Sequence, residues 1–388
     1  MTETDHIAPF RDPARAAALL AHIARLADQL GATPEAPLPI MEICGGHTHA
    51  IFRYGLDRLV HPGIEFVHGP GCPVCVLPMA RVDECVALAE QPNVTMTSFG
   101  DAMRVPGHRG SLIEARARGA DIRIVYSPLD ALALARRMPD REIIFFGLGF
   151  ETTTPATALA LLQAEREGLT NFSLFCNHIT VPPPLRALLE DPACRLHGFI
   201  GPGHVSMVIG LAPYRFIAEE FRRPIVIAGF EPIDLLHALC MVLTQRAEGR
   251  AEVENQYGRV VPPHGNTRAL EAIETVFEPR ERFEWRGLGE IDHSGLRIRP
   301  RFTRFDAEAR YGIGYGASAP RNVPEIPGAR CGDVVKGALK PPSCPLFGTV
   351  CTPRTPVGAL MVSSEGACAA YHQYAGSRPE APSPARAA

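Results

Sequence analysis

The chain has 388 residues and a formal net charge of −3 at pH 7. At roughly 150 residues per domain that allows two or three domains, and it lacks the basic excess of a non-specific nucleic-acid binder. Apolar residues at 46% and charged residues at 21% are near globular averages and exclude wholesale disorder or a fibrous repeat. The first residues, MTETDH, carry no basic stretch followed by an apolar run, so no secretory signal is expected. No segment reaches the roughly 18 uninterrupted apolar residues of a membrane span. A cytoplasmic protein with neither nucleic-acid nor membrane partners is expected.

Residues 12–30 read as one amphipathic helix, opened by Asp12 and Pro13 and closed by Gly31. Beyond Pro37, strands are expected at 64–68, 94–98, 122–126, 143–146, 173–176, 199–200 and 225–228. Helices are expected between them at 79–90, 111–118, 129–137, 155–167 and 233–245. Such alternation argues for parallel sheets flanked by helices. Two strands, 143–146 and 225–228, each lead into Gly-Phe-Glu and then a helix, a faint internal echo. After about residue 261 one helix, 267–277, gives way to Gly/Pro/Arg-rich chain. The reading is two α/β domains plus an irregular third stapled by metal.

Eleven cysteines are too many and too uneven for background, and in a reducing compartment clustered cysteines serve metals or redox chemistry more often than bridges. The first constellation is residues 42–49, EICGGHTH. Cys44, His47 and His49 offer mixed sulfur and nitrogen donors suited to zinc or iron; a glycine turn beside a buried thiol and surface histidines is the plain alternative. The second is residues 69–75, GPGCPVC, between a strand and a helix. A Cys-x-x-Cys pair at a helix N-terminus has its thiolate favoured by free amides, so Cys72 and Cys75 are read as a redox pair ahead of half a metal site. Cys85 is read as a core residue.

The third constellation is Cys331, Cys344, Cys351 and Cys368, separated by twelve, six and sixteen residues and flanked by turn formers. Four thiolates on irregular backbone suit tetrahedral zinc or an iron–sulfur cluster. The absence of tight Cys-x₂₋₄-Cys knuckles favours the cluster. The only lysines, Lys336 and Lys340, lie between the first two ligands and are read as solvated. A fourth set of polar groups falls at strand ends, where open parallel sheets build sites: Asp101, Glu151 through Thr154, Asn177-His178, His204 and Glu231. Thr154 is also read as a helix N-cap. No dinucleotide fingerprint, phosphate loop or Gly-x-Ser-x-Gly elbow is present.

Taken in order, EICGGHTH, GPGCPVC, GFETT at 149–153, GPGHV at 201–205 and the segment from Cys331 to Ser363-Ser364-Glu365-Gly366-Ala367-Cys368 resemble the HypD family of hydrogenase maturation factors. The resemblance implies two similar parallel-sheet α/β domains around a cleft and an irregular α+β domain carrying a [4Fe–4S] cluster. It places an N-terminal helix at 1–35, expected on the third domain, α/β domains at 36–127 and 128–262, a cluster domain at 263–374 and a disordered tail at 375–388. It implies a redox-active scaffold, rather than a conventional turnover enzyme, that assembles the Fe(CN)₂CO unit with a HypC-type small chaperone and takes cyanide from HypE. Cys44 matches the iron ligand, Cys72 and Cys75 the redox pair, and Cys331, Cys344, Cys351 and Cys368 the cluster ligands.

An electron relay from cluster to pair to iron is expected, because moving a cyano group off a thiocyanate is reductive. His47, His49, His204 and Glu365 are second-tier candidates for proton transfer, orientation or cyano-group stabilisation. Two competing readings remain: a free-standing thiol–disulfide oxidoreductase using Cys72 and Cys75 alone, and a zinc hydrolase using Cys44, His47 and His49. Cys85, Cys176, Cys194 and Cys240 are expected to be structural.

Overall fold

A computed structural model describes residues 7–313 and 326–375. The α/β expectation holds, with two parallel sheets. The first has five strands in the order Ile64–His68, Leu38–Glu42, Gly198–Pro202, Ile225–Ala228 and Val253–Asn255. The second has four, in the order Ile122–Ile124, Val94–Ser98, Glu142–Gly149 and Phe172–His178. Strands such as Phe172–His178 are buried along their whole length, polar Ser173, Asn177 and His178 included, as in sheets covered on both faces. The two Gly-Phe-Glu turns follow corresponding strand ends, one in each sheet.

The sheets do not divide the chain contiguously at 127. Leu38–Glu42 pairs with Gly198–Pro202, so the second sheet is inserted between two parts of the first. Alternating strands and helices announce parallel sheets, but the pattern does not say which sheet a strand joins.

The N-terminal helix Pro13–Gln29 starts as expected, with Asp12 accepting from the amides of Ala14 and Arg15. It packs on helix Pro232–Ala247 of the first sheet rather than on the third region, because Ile23, Leu26 and Ala27 form an apolar stripe that joins Leu235, Leu239 and Leu243. The third region holds two small antiparallel pairs, Phe277–Pro279 with Leu296–Ile298 and Arg282–Trp285 with Gly289–Asp292. Short helical turns follow, and the helix Ala367–Ala375 ends the described chain. The tail expected to be disordered lies, beyond residue 375, outside the described residues.

One core decides where the site sits. Cys72, Cys75, Cys331, Cys351 and Cys368 are all buried with Met96, Ile144, Phe146 and Phe175 against one face of the second sheet. The redox-pair loop and the cysteine-rich segment therefore share a hydrophobic floor. Buried Arg81 clamps this arrangement, donating to Asn177 at 2.6 Å and pairing with Glu308, which Arg280 also holds at 2.6 Å. Among the described residues no helix is long and apolar enough to cross a membrane.

Candidate metal and thiol site

Cys44 sits where strand Leu38–Glu42 ends and helix Gly45–Arg53 begins, as the N-cap with extended backbone. Two forces oppose each other at its thiol. Burial, then the charges of Glu42 and Glu365, push its pKa up to about 12, while the amides of Gly46 and His47 pull it down. Desolvation wins, so the free thiol is kept protonated. Beneath it, the buried Glu42 carboxylate accepts the Cys44 amide at 2.9 Å, the Thr48 hydroxyl, and His68 Nδ1 at 2.8 Å. Glu42 thus fixes the strand-to-helix turn that presents the sulfur.

Cys72 and Cys75 are joined as a disulfide with Cα atoms 5.3 Å apart. The pair lies on a turn, not at a helix N-terminus. Helix Met79–Ala89 starts four residues after Cys75, behind its N-cap Pro78, so no helix dipole favours a thiolate. Both residues are also buried, at 4% and 2% exposure.

Glycines set the close approaches. A Cβ on Gly71 would stand 2.4 Å from the Cys44 amide nitrogen, and the Gly45 amide donates to the Gly71 carbonyl at 3.0 Å. A Cβ on Gly366 would stand 3.0 Å from Cys75 Sγ. The Gly71 and Cys44 segments therefore meet in backbone contact, and the Gly366 backbone lies against the Cys75 sulfur.

Glu365 comes from the cysteine-rich segment and reaches Gly45, where a Cβ would fall 2.3 Å from its own Cβ. It touches solvent yet is crowded by protein, and this desolvation, followed by the charges of Asp101 and Glu42, raises its pKa. His47 is fully buried. Its Nε2 lies 3.3 Å from the Ala228 carbonyl, while its Nδ1 finds no partner among the described residues. Burial, the largest influence, lowers its pKa, which suits a neutral ring.

Phe230, unlisted among the sequence candidates, organises the imidazoles: His47 packs on it at 4.8 Å and His204 stacks on it at 4.0 Å. His204 is exposed, and partial desolvation lowers its pKa. His49 turns instead to Tyr374, whose hydroxyl lies 3.4 Å from its Nε2. Cys44, His47 and His49 are thus not gathered. Among the described residues no three His, Cys, Asp or Glu side chains form a group for one metal ion.

Cys331, Cys344, Cys351 and Cys368 line one pocket, with Val334, Leu346, Phe347, Gly358, Leu360 and Met361. Thiols that share a pocket without closing on a single point suit a polynuclear cluster better than a zinc ion about 2.3 Å from each sulfur. Two details fit a cluster. The Gly358 amide donates to Cys351 Sγ at 3.4 Å, and a Cβ on Gly358 would fall 2.4 Å from Cys331 Sγ. The pKa of Cys368 is raised by burial and then by the neighbouring Cys331, Cys351 and Cys344. Neither lysine lines the pocket, and exposed Lys340 pairs with Glu65 at 3.4 Å.

Other strand-end groups are structural. His178 is buried between Thr157 Oγ1 at 2.9 Å and the Gly149 carbonyl at 3.3 Å, and desolvation lowers its pKa to about 4. Glu231 pairs with Arg11 at 2.5 Å. Thr153 rather than Thr154 takes the N-cap position, without a side-chain cap bond, and both hydroxyls bond back to the Phe150 carbonyl, at 3.2 and 2.9 Å. Cys85, Cys176 and Cys240 are buried, whereas Cys194 is half-buried. Glu42 belonged to a quoted motif, yet its role needs His68 and Thr48 in space.

The sequence profile of HypD, described as the hydrogenase formation hypA family, matches residues 14–375. The hydrogenase maturation factor HypD of Rhodobacter capsulatus is 68% identical over 369 residues, covering 95% of this chain and 98% of the relative. That of Escherichia coli (strain K12) is 55% identical over 365 residues, covering 94% and 96%. The hydrogenase expression/formation protein HupD of Azotobacter chroococcum mcd 1 is 50% identical over 387 residues, covering 98% and 100%. With its motifs in place on this fold, the chain belongs to the HypD family of hydrogenase maturation factors.

Proposed function

We propose that this hydrogenase maturation factor is a redox-active scaffold on which the Fe(CN)₂CO unit is assembled. The incoming iron is held between Cys44 and the N-terminal cysteine of a HypC-type small chaperone, and HypE supplies the cyanide. The observation that carries this reading is the convergence on Cys44 of the disulfide loop, through Gly71, and of the cysteine-rich segment, through Glu365. A soft thiolate suits low-spin iron. A thiol held neutral by burial is kept from adventitious oxidation until iron displaces its proton. Glu365, packed against Gly45 beside Cys44, would take that proton. His47 and His204, both held near neutrality beside Phe230, orient the incoming cyano group.

The Cys72/Cys75 dithiol releases two electrons and two protons on closing to the disulfide, the reductive change that moving a cyano group off a thiocyanate needs. Cys331, Cys344, Cys351 and Cys368 would hold a [4Fe–4S] cluster, which when bound supplies electrons singly. The work is that of a cytoplasmic scaffold that holds, reduces and hands on its cargo. The disulfide also favours a second reading, a free-standing thiol–disulfide oxidoreductase. Both its sulfurs are buried, which argues against exchange with protein substrates, since exchange needs an accessible thiol.

The test is anaerobic co-isolation with a small partner whose first residue is cysteine, followed by infrared spectroscopy. Cyanide and carbonyl bands are expected. Stoichiometric zinc with no such bands would overturn the scaffold reading, and thiol–disulfide turnover unaffected by Cys44→Ala would favour the second.

A further inference from the structure

One continuous segment, residues 363–375, touches every part of the site. Glu365 lies on Gly45, Gly366 lies on Cys75, and Cys368 enters the four-thiol pocket. The segment then becomes helix Ala367–Ala375, which packs on the Cys44-capped helix Gly45–Arg53. Tyr371 meets Phe52 at 4.4 Å and His68 at 6.2 Å between ring centroids, and Tyr374 meets His49 edge-on at 5.6 Å. His68 in turn holds Glu42, which holds the Cys44 amide.

We propose that this segment is a strap through which filling of the four-thiol pocket orders the Cys44 helix, with Tyr371 and Tyr374 as its positioning residues. The inference rests on the reading that the pocket takes an iron–sulfur cluster. Its physical basis is the weakness of the strap taken alone. A nine-residue helix is marginal by itself, and Phe52, Ala370 and Tyr371 form a small apolar cluster separate from the four large cores. Anchoring Cys368 at one end removes much of the freedom that packing at the other must overcome. Binding at the pocket therefore stabilises the Tyr371 contact, and by linkage the Cys44 helix.

The experiment is hydrogen–deuterium exchange of the full chain, with the pocket reconstituted anaerobically with iron and sulfide or emptied by chelator and oxidant. Emptying is expected to raise exchange at 367–375 and at 45–53 together, with helix Pro232–Ala247 unchanged. In Tyr371→Ala the reconstituted protein should keep its iron–sulfur absorption while exchange at 45–53 rises to the emptied level. Alkylation of Cys44 by iodoacetamide, read by peptide mass spectrometry, should quicken several-fold in that variant. A rise confined to 367–375, or unchanged 45–53 in Tyr371→Ala, overturns the strap. Failure of the unaltered protein to develop iron–sulfur absorption would overturn the cluster reading and the strap with it, whereas full absorption without the coupled change at 45–53 overturns the strap alone.

Discussion

Cys44 and the four late cysteines are presented by opposite kinds of backbone. Cys44 stands at the junction of a central strand and a helix, its amide fixed by buried Glu42. Of the late cysteines, Cys344 and Cys351 lie on turns, while Cys331 opens a five-residue helix and Cys368 sits in the first turn of the closing helix Ala367–Ala375. The sheet-supported site is shaped before any ligand arrives. The pocket would depend on an occupant for shape, as metal-bound irregular regions do. On the proposed function, a sheet-supported anchor for transient cargo is paired with a pocket of less regular backbone for a resident cluster.

The largest effect that tests this contrast is Cys351→Ser, expected to abolish iron–sulfur absorption and hydrogenase maturation, checked by anaerobic iron and sulfide analysis. Cys44→Ala should abolish maturation but leave that absorption intact, because the two sites are held by different elements. A smaller effect probes the sheet-supported half through pH. Glu151 is buried, with Oε1 accepting from the Val181 amide at 3.0 Å and Oε2 without a partner among the described residues, and desolvation raises its pKa to about 7. A carboxyl whose folded pKa exceeds its unfolded value holds its proton longer when folded. Stability is therefore present in full below about pH 4.5 and falls as pH rises toward 7. By linkage the loss is about 3 kcal/mol. Glu151→Gln should flatten that slope in chemical denaturation measured between pH 5 and 8; an unchanged slope would contradict the burial argument.

Smaller again is Gly71→Ala, whose Cβ would press on the Cys44 backbone. Overpacking of this kind costs about 1–3 kcal/mol, read as a lowered denaturation midpoint. Gly348→Ala in the pocket region has positive φ but open space, and should lose only about 1 kcal/mol from backbone strain. The smallest effect is Lys340→Ala, which removes an exposed pair with Glu65 and should change stability by under about 1 kcal/mol.

The grouping of the cysteines was legible in their local spacing. Cys44, the Cys72/Cys75 pair and the late quartet could be separated by their neighbours alone, and the helix from Asp12 and most strands followed from caps and β-branched runs. What depended on pairing across distance was not. The strand Leu38–Glu42 is short and contains Pro39, which hides it from a propensity reading. The helix Gly45–Arg53 opens with two glycines, poor helix formers whose use is to admit Phe230 and Glu365. The helix dipole expected to activate Cys72 is absent because the turn runs on to Pro78 before a helix can start. Phe230 and His68 matter only because strands Ile225–Ala228 and Ile64–His68 lie in the same sheet as the strand before Cys44.

The most direct measurement is Mössbauer spectroscopy of the ⁵⁷Fe-loaded protein isolated anaerobically with its small partner, compared with a matching Cys44→Ala sample. The account predicts a cluster component in both samples and a low-spin ferrous component only in the unaltered protein. Survival of the low-spin component in Cys44→Ala would contradict the assignment of Cys44 as the anchor of the iron.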